Sequence, residues 1–267
     1  MTPNLAEAHP RRALALANWK MAMTVAEGMA FLRDFRALAG ETLNEVDVVI
    51  CPPFTSIWAL AQALHGRQVE LGAQDLAAAG DTAQTGQVSA ALLAEAGCRW
   101  ALLGHWEVRR QRGDDDALVN RKIVQALRAG LQPIVTVGEP AHSQPPRDDL
   151  LADQLERLLE GCQAEEAGRV TFLYEPESAI GASQPVPPGQ AAHGCSLIRS
   201  WLAERHGHPV AQGARIIYGG SVSPEHAASL LAHPDVDGLG AGRMGREAVR
   251  FAQIVRTIAQ VKRTDPQ

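Results

Sequence analysis

The sequence predicts a single-domain α/β protein in which eight parallel strands close into a (β/α)8 barrel. Short, continuously apolar segments alternate with longer segments of helical spacing along all 267 residues. The apolar segments are too short and too uniformly apolar for surface helices, which is typical of parallel strands buried on both faces. The chain length also fits the roughly 250 residues of one such barrel. Strand followed by helix, repeated eight times, favours closure over an open sheet.

Eight short apolar segments are predicted to be the strands of this barrel. In chain order they are residues 13–17, 46–51, 69–73, 100–103, 132–137, 170–174, 215–218 and 236–241. The barrel domain is predicted at residues 13–262, with an N-terminal extension at 1–12 and a C-terminal tail at 263–267.

Seven segments between the strands have the apolar spacing of amphipathic helices. They are residues 26–38, 88–96, 118–129, 150–159, 195–204, 224–231 and 247–261. Thr55 and Ser223 are predicted N-caps, Pro224 suits a first helical turn, and Gly97 and Gly130 fall just past helix ends. An open doubly wound sheet is the alternative, but it would place a glycine-rich turn after the first strand, and the glycines here cluster late.

The composition excludes several classes of function. Hydrophobic residues make up 46% and charged residues 21% of the chain, as in an ordinary globular protein. No apolar run reaches the roughly 18 residues that span a membrane, and residues 1–12 lack the apolar core of a secretory signal, so we expect a cytoplasmic protein. The net charge of −5 argues against a nucleic-acid partner, because phosphate backbones bind basic surfaces.

The cysteines predict neither a metal site nor a disulfide framework. Cys51, Cys98, Cys162 and Cys195 lie far apart and include no C-x-x-C pair. No cluster of metal ligands accompanies the strand ends. We therefore predict that the protein uses no metal and no cofactor.

Four predicted strands end in residues with complementary chemistry. Glu175 directly follows the apolar run 170–174, and Lys20, His105 and Ser221 follow the ends of three other strands. Taken alone, a glutamate at a strand end most often sits in water. Because parallel strands of a barrel end at one rim, however, these four side chains are expected to face a common cavity.

Glycine turns after the seventh and eighth strands predict a phosphate site. The turns are Gly219-Gly220-Ser221 and Gly240-Ala241-Gly242-Arg243. Glycines let backbone N–H groups approach an anion closely, and phosphate-binding barrels use the loops after these two strands. A single Gly-Gly-Ser is usually only a turn, so the prediction of a phosphate site depends on the two glycine turns occurring together.

The combined set predicts proton abstraction next to a carbonyl in a sugar phosphate. Glu175 under an apolar loop would become a stronger base on desolvation. A histidine near a helix N-terminus tends to stay neutral and can polarise a carbonyl, and Lys20 offers a fixed positive charge.

Four motifs resemble the triosephosphate isomerase family. They are Asn18-Trp19-Lys20-Met21, Gly104-His105-Trp106-Glu107, Tyr174-Glu175-Pro176 with Ala179-Ile180-Gly181, and Tyr218-Gly219-Gly220-Ser221-Val222. The motifs keep the family's order over residues 13–261. The resemblance implies a TIM barrel, conversion of dihydroxyacetone phosphate and glyceraldehyde 3-phosphate through an enediolate, and a place in glycolysis and gluconeogenesis. This family is itself the standard example of a base and a neutral histidine beneath a closing loop.

The resemblance also implies a role for each matching residue. Glu175 would be the catalytic base and His105 the electrophile, with Lys20 and Glu107 completing the catalytic set. The implied substrate contacts are Asn18, Lys20, Ile180, Gly181, Gly220, Ser221 and Gly242, and Arg243 is predicted as a further contact from its position beside the phosphate turn. Thr85-Gly86 resembles the family's interface loop, which implies a homodimer.

Departures from the family's pattern leave the substrate open. The family's lid reads Pro-Val-Trp-Ala-Ile-Gly, and Glu177 and Ser178 stand here in place of Val and Trp. Gly240 replaces a usual Leu, which enlarges the pocket, and Arg243 replaces a Gly, which adds a phosphate ligand. An isomerase of four-carbon ketose phosphates such as erythrulose phosphate is therefore an alternative. A non-catalytic barrel that binds a phosphorylated metabolite is the second alternative.

Two further departures fall on the implied interface and on the residue after the histidine. Gln87 and Val108 replace the Glu and Arg of one family ion pair, and losing both members together can be nearly neutral. We therefore expect the interface to be kept. Trp106 follows His105 where the family has Ser. A large side chain is thus gained near the lid, in which the family's Trp is missing.

Overall fold

The computed structural model describes residues 11–64, 68–80, 83–143 and 148–263, and it confirms the predicted barrel. The eight strands pair in parallel in chain order, and β1 also pairs with β8, which closes the sheet. The strands are β1 (Leu14–Asn18), β2 (Asp47–Cys51), β3 (Val69–Ala73), β4 (Cys98–Leu103), β5 (Gln132–Val137), β6 (Thr171–Tyr174), β7 (Ile216–Gly219) and β8 (Gly238–Ala241).

Helices follow the strands and surround the barrel. Within the described residues the α-helices are α1 (Val25–Ala39), α2 (Phe54–Ala63), α3 (Ala90–Glu95), α4 (Trp106–Arg112), α5 (Asp116–Arg128), α6 (Asp148–Leu158), α7 (Ala164–Gly168), α8 (Pro188–His206), α9 (His208–Gly213), α10 (Pro224–Leu231) and α11 (Ala248–Arg263). Short 3-10 helices span Gly40–Asn44, Glu177–Ala179 and Met244–Arg246. None of the helices in these ranges is long and apolar enough to cross a membrane.

The predicted domain boundaries stay predictions. Most of the N-terminal extension, residues 1–10, and most of the C-terminal tail, residues 264–267, lie outside the described residues. Arg11, within the predicted extension, is described, and its Nε lies 2.7 Å from Asp237 Oδ1.

The predicted helix ends are confirmed where a glycine or a proline lies at the boundary. Ser223 is the N-cap of α10 and Pro224 lies in its first turn, while Gly97 and Gly130 take positive φ just past α3 and α5. The N-cap prediction at Thr55 is wrong, because α2 begins at Phe54 and Pro53 is the capping residue.

The helix predicted at residues 195–204 begins earlier in the structure, as part of α8. It starts at Pro188, seven positions before the predicted residue 195, and two glycines obscure its first turns. Gly194 is needed there, since a Cβ would lie 2.2 Å from the ring of Tyr174. The close approach of α8 to β6 therefore requires a residue that lowers the apparent helical propensity.

The apolar core has two layers that follow from strand alternation. Leu14 and Leu16 of β1 point into the barrel, whereas Ala15 and Ala17 face the surrounding helices. The inner layer consists of Leu14, Leu16, Val49, Cys51, Trp100, Leu102, Ile134, Leu173 and Ile217. Each such buried Leu or Ile contributes on the order of 2 kcal/mol of transfer free energy to folding. The polar residues at the strand ends are therefore attached to a tightly packed core.

A buried ionic network fixes the helix whose start carries His105. Lys122 Nζ lies 2.7 Å from Asp75 Oδ1 and 2.5 Å from Asp114 Oδ2, and Arg112 of α4 also pairs with Asp75. The network joins the loop after β3 to the turn between α4 and α5. Removing one buried partner, such as Lys122, costs about 3–5 kcal/mol, so the network holds the turn that ends α4, whereas the half-exposed pair of Arg112 adds less.

Candidate active site

A cavity of about 290 Å³ opens where the strands end, and it gathers nearly all of the predicted site residues. Its lining includes Asn18, Lys20, His105, Glu175, Ile180, Gly181, Gly220, Ser221, Gly242 and Arg243. Glu107 is the predicted site residue outside this lining, and it contacts the cavity through Lys20 and His105. The size suits a small phosphorylated sugar.

The end of β1 holds Lys20 in an unusual backbone conformation. Lys20 has a φ of 53°, in the left-handed region that side chains other than Gly, Asn and Asp rarely adopt. Its N–H donates to Asn18 Oδ1 at 3.0 Å, and its carbonyl accepts a hydrogen bond from Gln74 Nε2 at 2.8 Å. These bonds offset the strain and aim the ammonium group toward Glu107, 2.6 Å from Oε1.

Glu107 forms an ion pair with Lys20 behind the cavity. Burial is the largest single influence and raises the pKa of Glu107, but the hydrogen bond and charge of Lys20, with the charges of His105 and Arg110, together hold that pKa below its ordinary value. The carboxylate therefore stays ionised at neutral pH and restrains the ammonium group at the rim.

His105 is set up as a neutral hydrogen-bond donor. It lies at the N-cap of α4, where its Nδ1 accepts the backbone N–H of Glu107 at 3.2 Å. This bond assigns the ring proton to Nε2, which lies 3.4 Å from Glu175 Oε2. Burial and the nearby charge of Lys20 lower the pKa of His105 to about 4, so the ring is uncharged at neutral pH.

Glu175 follows β6 and is buried beneath the loop that it begins. Burial raises its pKa to about 7, although Lys20 opposes the shift. Among the described residues, no group donates a hydrogen bond to its buried Oε2. Gly219 leaves room for the carboxylate, since a Cβ there would lie 3.1 Å from Oε1. A desolvated carboxylate without donors is a stronger base than an exposed one.

The two glycine turns and the loop after Glu175 surround the far end of the cavity. Gly220 and Ser221 both have positive φ, 106° and 46°. The Ser221 hydroxyl donates to the carbonyl of Ala182 at 2.7 Å, with the carbonyl of Ala179 at 3.0 Å. The loop 176–183 is thus held over the cavity by the turn after β7, in the place that a closing lid would occupy.

Arginines at the turn after β8 add positive charge to this end. Arg243 lines the cavity, and its Nη2 donates to the carbonyl of Ala182 at 3.3 Å. Arg246 lines the cavity as well, and sequence analysis missed it. The signal was a second arginine three positions after Arg243, which the 3-10 helix Met244–Arg246 brings back toward the same opening.

Gly240 of β8 lines the cavity beside Leu16 and Leu173. A Cβ at Gly240 would meet Leu173 Cδ1 at 3.0 Å and Leu16 Cδ2 at 3.6 Å. These two side chains already occupy the place of the missing side chain, so Gly240 does not enlarge the cavity as expected from the sequence. In the part of the chain that the structure describes, no group of three or more His, Cys, Asp or Glu residues is arranged to bind a metal.

The two shifted pKa values predict the pH dependence of turnover. Glu175 accepts a proton only when ionised, so below its pKa of about 7 we expect kcat/KM to fall about tenfold per pH unit. His105, with a pKa of about 4, stays neutral over the same range and adds no second step. Steady-state kinetics between roughly pH 5 and 8 would check this, and a flat profile would contradict it.

A direct titration separates the enzyme's carboxyl group from the ligand's phosphate. The second ionisation of a sugar phosphate has a pKa of about 6, so it would also change the pH profile of kcat/KM. Difference infrared spectra of the free protein against the Glu175→Gln variant report only the carboxyl group. A carboxylate band that disappears near pH 4.5, the ordinary value for glutamate, would refute the assignment of a pKa near 7.

Comparisons with known proteins agree with this arrangement. A family model described as triosephosphate isomerase matches residues 13–258. The triosephosphate isomerase of Symbiobacterium thermophilum is 40% identical over 255 residues, covering 94% of this chain and 99% of the relative. That of Chloroflexus aurantiacus is 39% identical over 247 residues, covering 91% and 97%.

A solved structure extends the match to three dimensions. The crystal structure of triosephosphate isomerase from Bartonella henselae superimposes with a TM-score of 0.82 at 30% identity, covering 95% of this chain and all of that one. The family match, the relatives and the superposition span nearly the whole chain, including every strand that carries a site residue. The chain belongs to the triosephosphate isomerase family.

Proposed function

We propose that this protein interconverts dihydroxyacetone phosphate and glyceraldehyde 3-phosphate. The observation that carries the proposal is the pairing of Glu175 with neutral His105, 3.4 Å apart, beside Lys20 in one cavity. A raised carboxyl pKa next to a lowered histidine pKa assigns base and electrophile to different groups. Membership of an isomerase family gives the reaction class, aldose-ketose isomerisation.

The reaction begins with placement of the substrate. Backbone N–H groups of Gly181, Ser221 and Gly242, with Arg243, hold the phosphate at the far end of the cavity. Lys20 and Asn18 then lie near the carbonyl at the other end. The volume of the cavity, about 290 Å³, favours a substrate with a short carbon chain.

Proton transfer then uses the two groups at the strand ends. Glu175 takes a proton from the carbon next to the carbonyl, and negative charge develops on the carbonyl oxygen as an enediolate forms. Nε2–H of His105 donates to that oxygen, and the proton is passed between the two oxygens. Glu175 returns its proton to the adjacent carbon, so no atom is gained or lost. Lys20 stabilises the developing charge throughout.

The second candidate substrate is a four-carbon ketose phosphate. Glu177 and Ser178 in the altered lid and Arg243 after β8 favour it, whereas Leu173 and Leu16 leave little of the room expected at Gly240. The deciding experiment is steady-state turnover of the purified protein on dihydroxyacetone phosphate and on erythrulose phosphate. We expect the higher kcat/KM on dihydroxyacetone phosphate. A higher value on erythrulose phosphate would reverse the assignment, and phosphate-ligand binding without turnover of either would identify a non-catalytic barrel.

A homodimer and a cytoplasmic location also belong to the proposal. Met21, directly after Lys20, is 98% exposed, and Phe54 and Trp58 after the neighbouring strand β2 are exposed too. Exposed apolar side chains after two adjacent strands favour a covered surface. A second copy packed there would shield the loop of Lys20, and sedimentation velocity at several concentrations would test for it. The four cysteines are unpaired and buried, which fits a reducing compartment.

A further inference from the structure

The peptide group that follows the base is held by a tryptophan outside the cavity lining. Trp106 Nε1 donates to the backbone carbonyl of Glu175 at 2.9 Å. The N–H of Glu175 donates to the carbonyl of Val137 at 2.8 Å, and Pro176 fixes the next φ near −54°. Both polar backbone groups of the base are therefore engaged.

Gly138 closes on the same peptide group. A Cβ at Gly138 would lie 2.4 Å from the carbonyl oxygen of Glu175 and 2.9 Å from the nitrogen of Pro176. The chain after β5 thus packs directly on this peptide group, where no larger residue fits. The carbonyl can rotate little without losing its indole partner.

The carboxylate of Glu175 has no comparable restraint. Among the described residues no group makes a hydrogen bond to its buried Oε2, although Nε2 of His105 lies 3.4 Å away. Its position relative to Nε2 of His105 therefore depends on the backbone from which the side chain extends. A change in the orientation of that backbone moves the carboxylate directly.

The loop after the base has a second connection to the same helix. Glu177 Oε1 lies 3.2 Å from Arg110 Nη1, and its Oε2 accepts the backbone N–H of Ala141 at 2.9 Å. Arg110 and Trp106 both belong to α4, whose N-cap is His105. One helix therefore carries the electrophile and contacts the base's own segment at two points.

We propose that Trp106 is a positioning residue that sets the distance between His105 and Glu175 through the carbonyl of Glu175. The Glu177–Arg110 pair supports it from the next residues of the loop. Glu177 in the lid and Trp106 after the histidine both differ from the residues of the family's pattern. The inference rests on the proposed isomerase function, because its readout is turnover.

The experiment replaces the indole N–H while keeping an aromatic ring. In the Trp106→Phe variant we expect kcat to fall about 10- to 100-fold, since a misplacement of about 1 Å at a reacting group costs about 100-fold. KM and the inhibition constant of inorganic phosphate should change less than about twofold, because the phosphate turns are untouched. Trp201→Phe is the matched control, since Trp201 is half-buried on α8 and its indole N–H has no hydrogen-bond partner among the described residues.

The outcomes separate this inference from the function on which it rests. Absence of turnover in the parent protein would overturn the proposed function. Normal parental turnover with Trp106→Phe within twofold of it would overturn the inference alone, as would a fall in kcat matched by an equal loss of phosphate inhibition. If Trp106→Phe does not fold, Glu177→Gln acts on the same segment through its pair with Arg110. It should lower kcat about threefold, and an unchanged kcat there would reject the positioning role.

Discussion

Replacing Glu175 with aspartate is expected to lower kcat by about 100- to 1000-fold while leaving the affinity for inorganic phosphate within about twofold. Aspartate keeps the charge but withdraws the carboxylate by about one bond, roughly 1.5 Å. The parent carboxylate lies 3.4 Å from Nε2 of His105 in a pocket that Gly219 leaves just large enough. Phosphate binds at the other end of the cavity, so binding and proton transfer should separate.

Steady-state kinetics with phosphate as a competitive inhibitor measures both quantities in one series. Glu165→Asp, an exposed glutamate on α7, controls for the same chemical change at a position remote from the cavity. Turnover of Glu175→Asp equal to that of the parent would reject Glu175 as the base. A parallel loss of phosphate affinity would mean that the substitution has disturbed the loop 176–183 instead.

The fold was predictable because strand ends carry local signals. All eight strands lie within two residues of their predicted bounds, since continuous apolar runs flanked by glycine or charge leave few alternatives. The short helices were not predictable in the same way. Helix α4, only seven residues long, includes several arginines and no buried residue, so it lacks the apolar stripe on which the prediction depends.

Within the site, residue types were predictable but the contacts between them were not. Lys20, His105, Glu175 and Ser221 reach one cavity because parallel strands end at one rim, a property of the fold. The bond from Trp106 to the carbonyl of Glu175 joins residues 69 positions apart through a backbone atom, and the sequence contains no sign of such a contact. The positive φ of Lys20 likewise depends on Gln74 from another strand end.

The lid illustrates how tertiary contacts can replace a motif. Ser178 is exposed, and Glu177, beside it, is instead bonded to Arg110 and to the backbone of Ala141. An apolar lid residue has thus given way to a charged one whose partners lie on neighbouring loops. Glu177 is mostly buried, so its ion pair with Arg110 is shielded more than a surface pair would be. The substitutions at the start of the lid are therefore compatible with an ordered loop.

Replacing Lys20 with methionine is expected to lower kcat/KM by about 1000-fold, through a lower kcat and a higher KM together. The ammonium group lines the same cavity as His105 and Glu175, where the enediolate would form, and methionine fills similar space without the charge. Lys20 also lowers the pKa values of Glu175 and His105. Its removal should raise the pKa of Glu175 above about 7, so the acid limb of the kcat/KM profile should move to higher pH.

The Glu107→Gln variant decides whether Lys20 acts by its charge or by holding its neighbour. Glutamine keeps Lys20 in place but removes the ion pair at 2.6 Å, and Glu107 is exposed enough for water to replace the lost contact. If the charge matters, Glu107→Gln should lose far less activity than Lys20→Met, and the double variant should resemble Lys20→Met alone. Equal losses in the two single variants would show instead that the pair acts as one structural unit, with Lys20 needed to place His105 rather than to stabilise the enediolate.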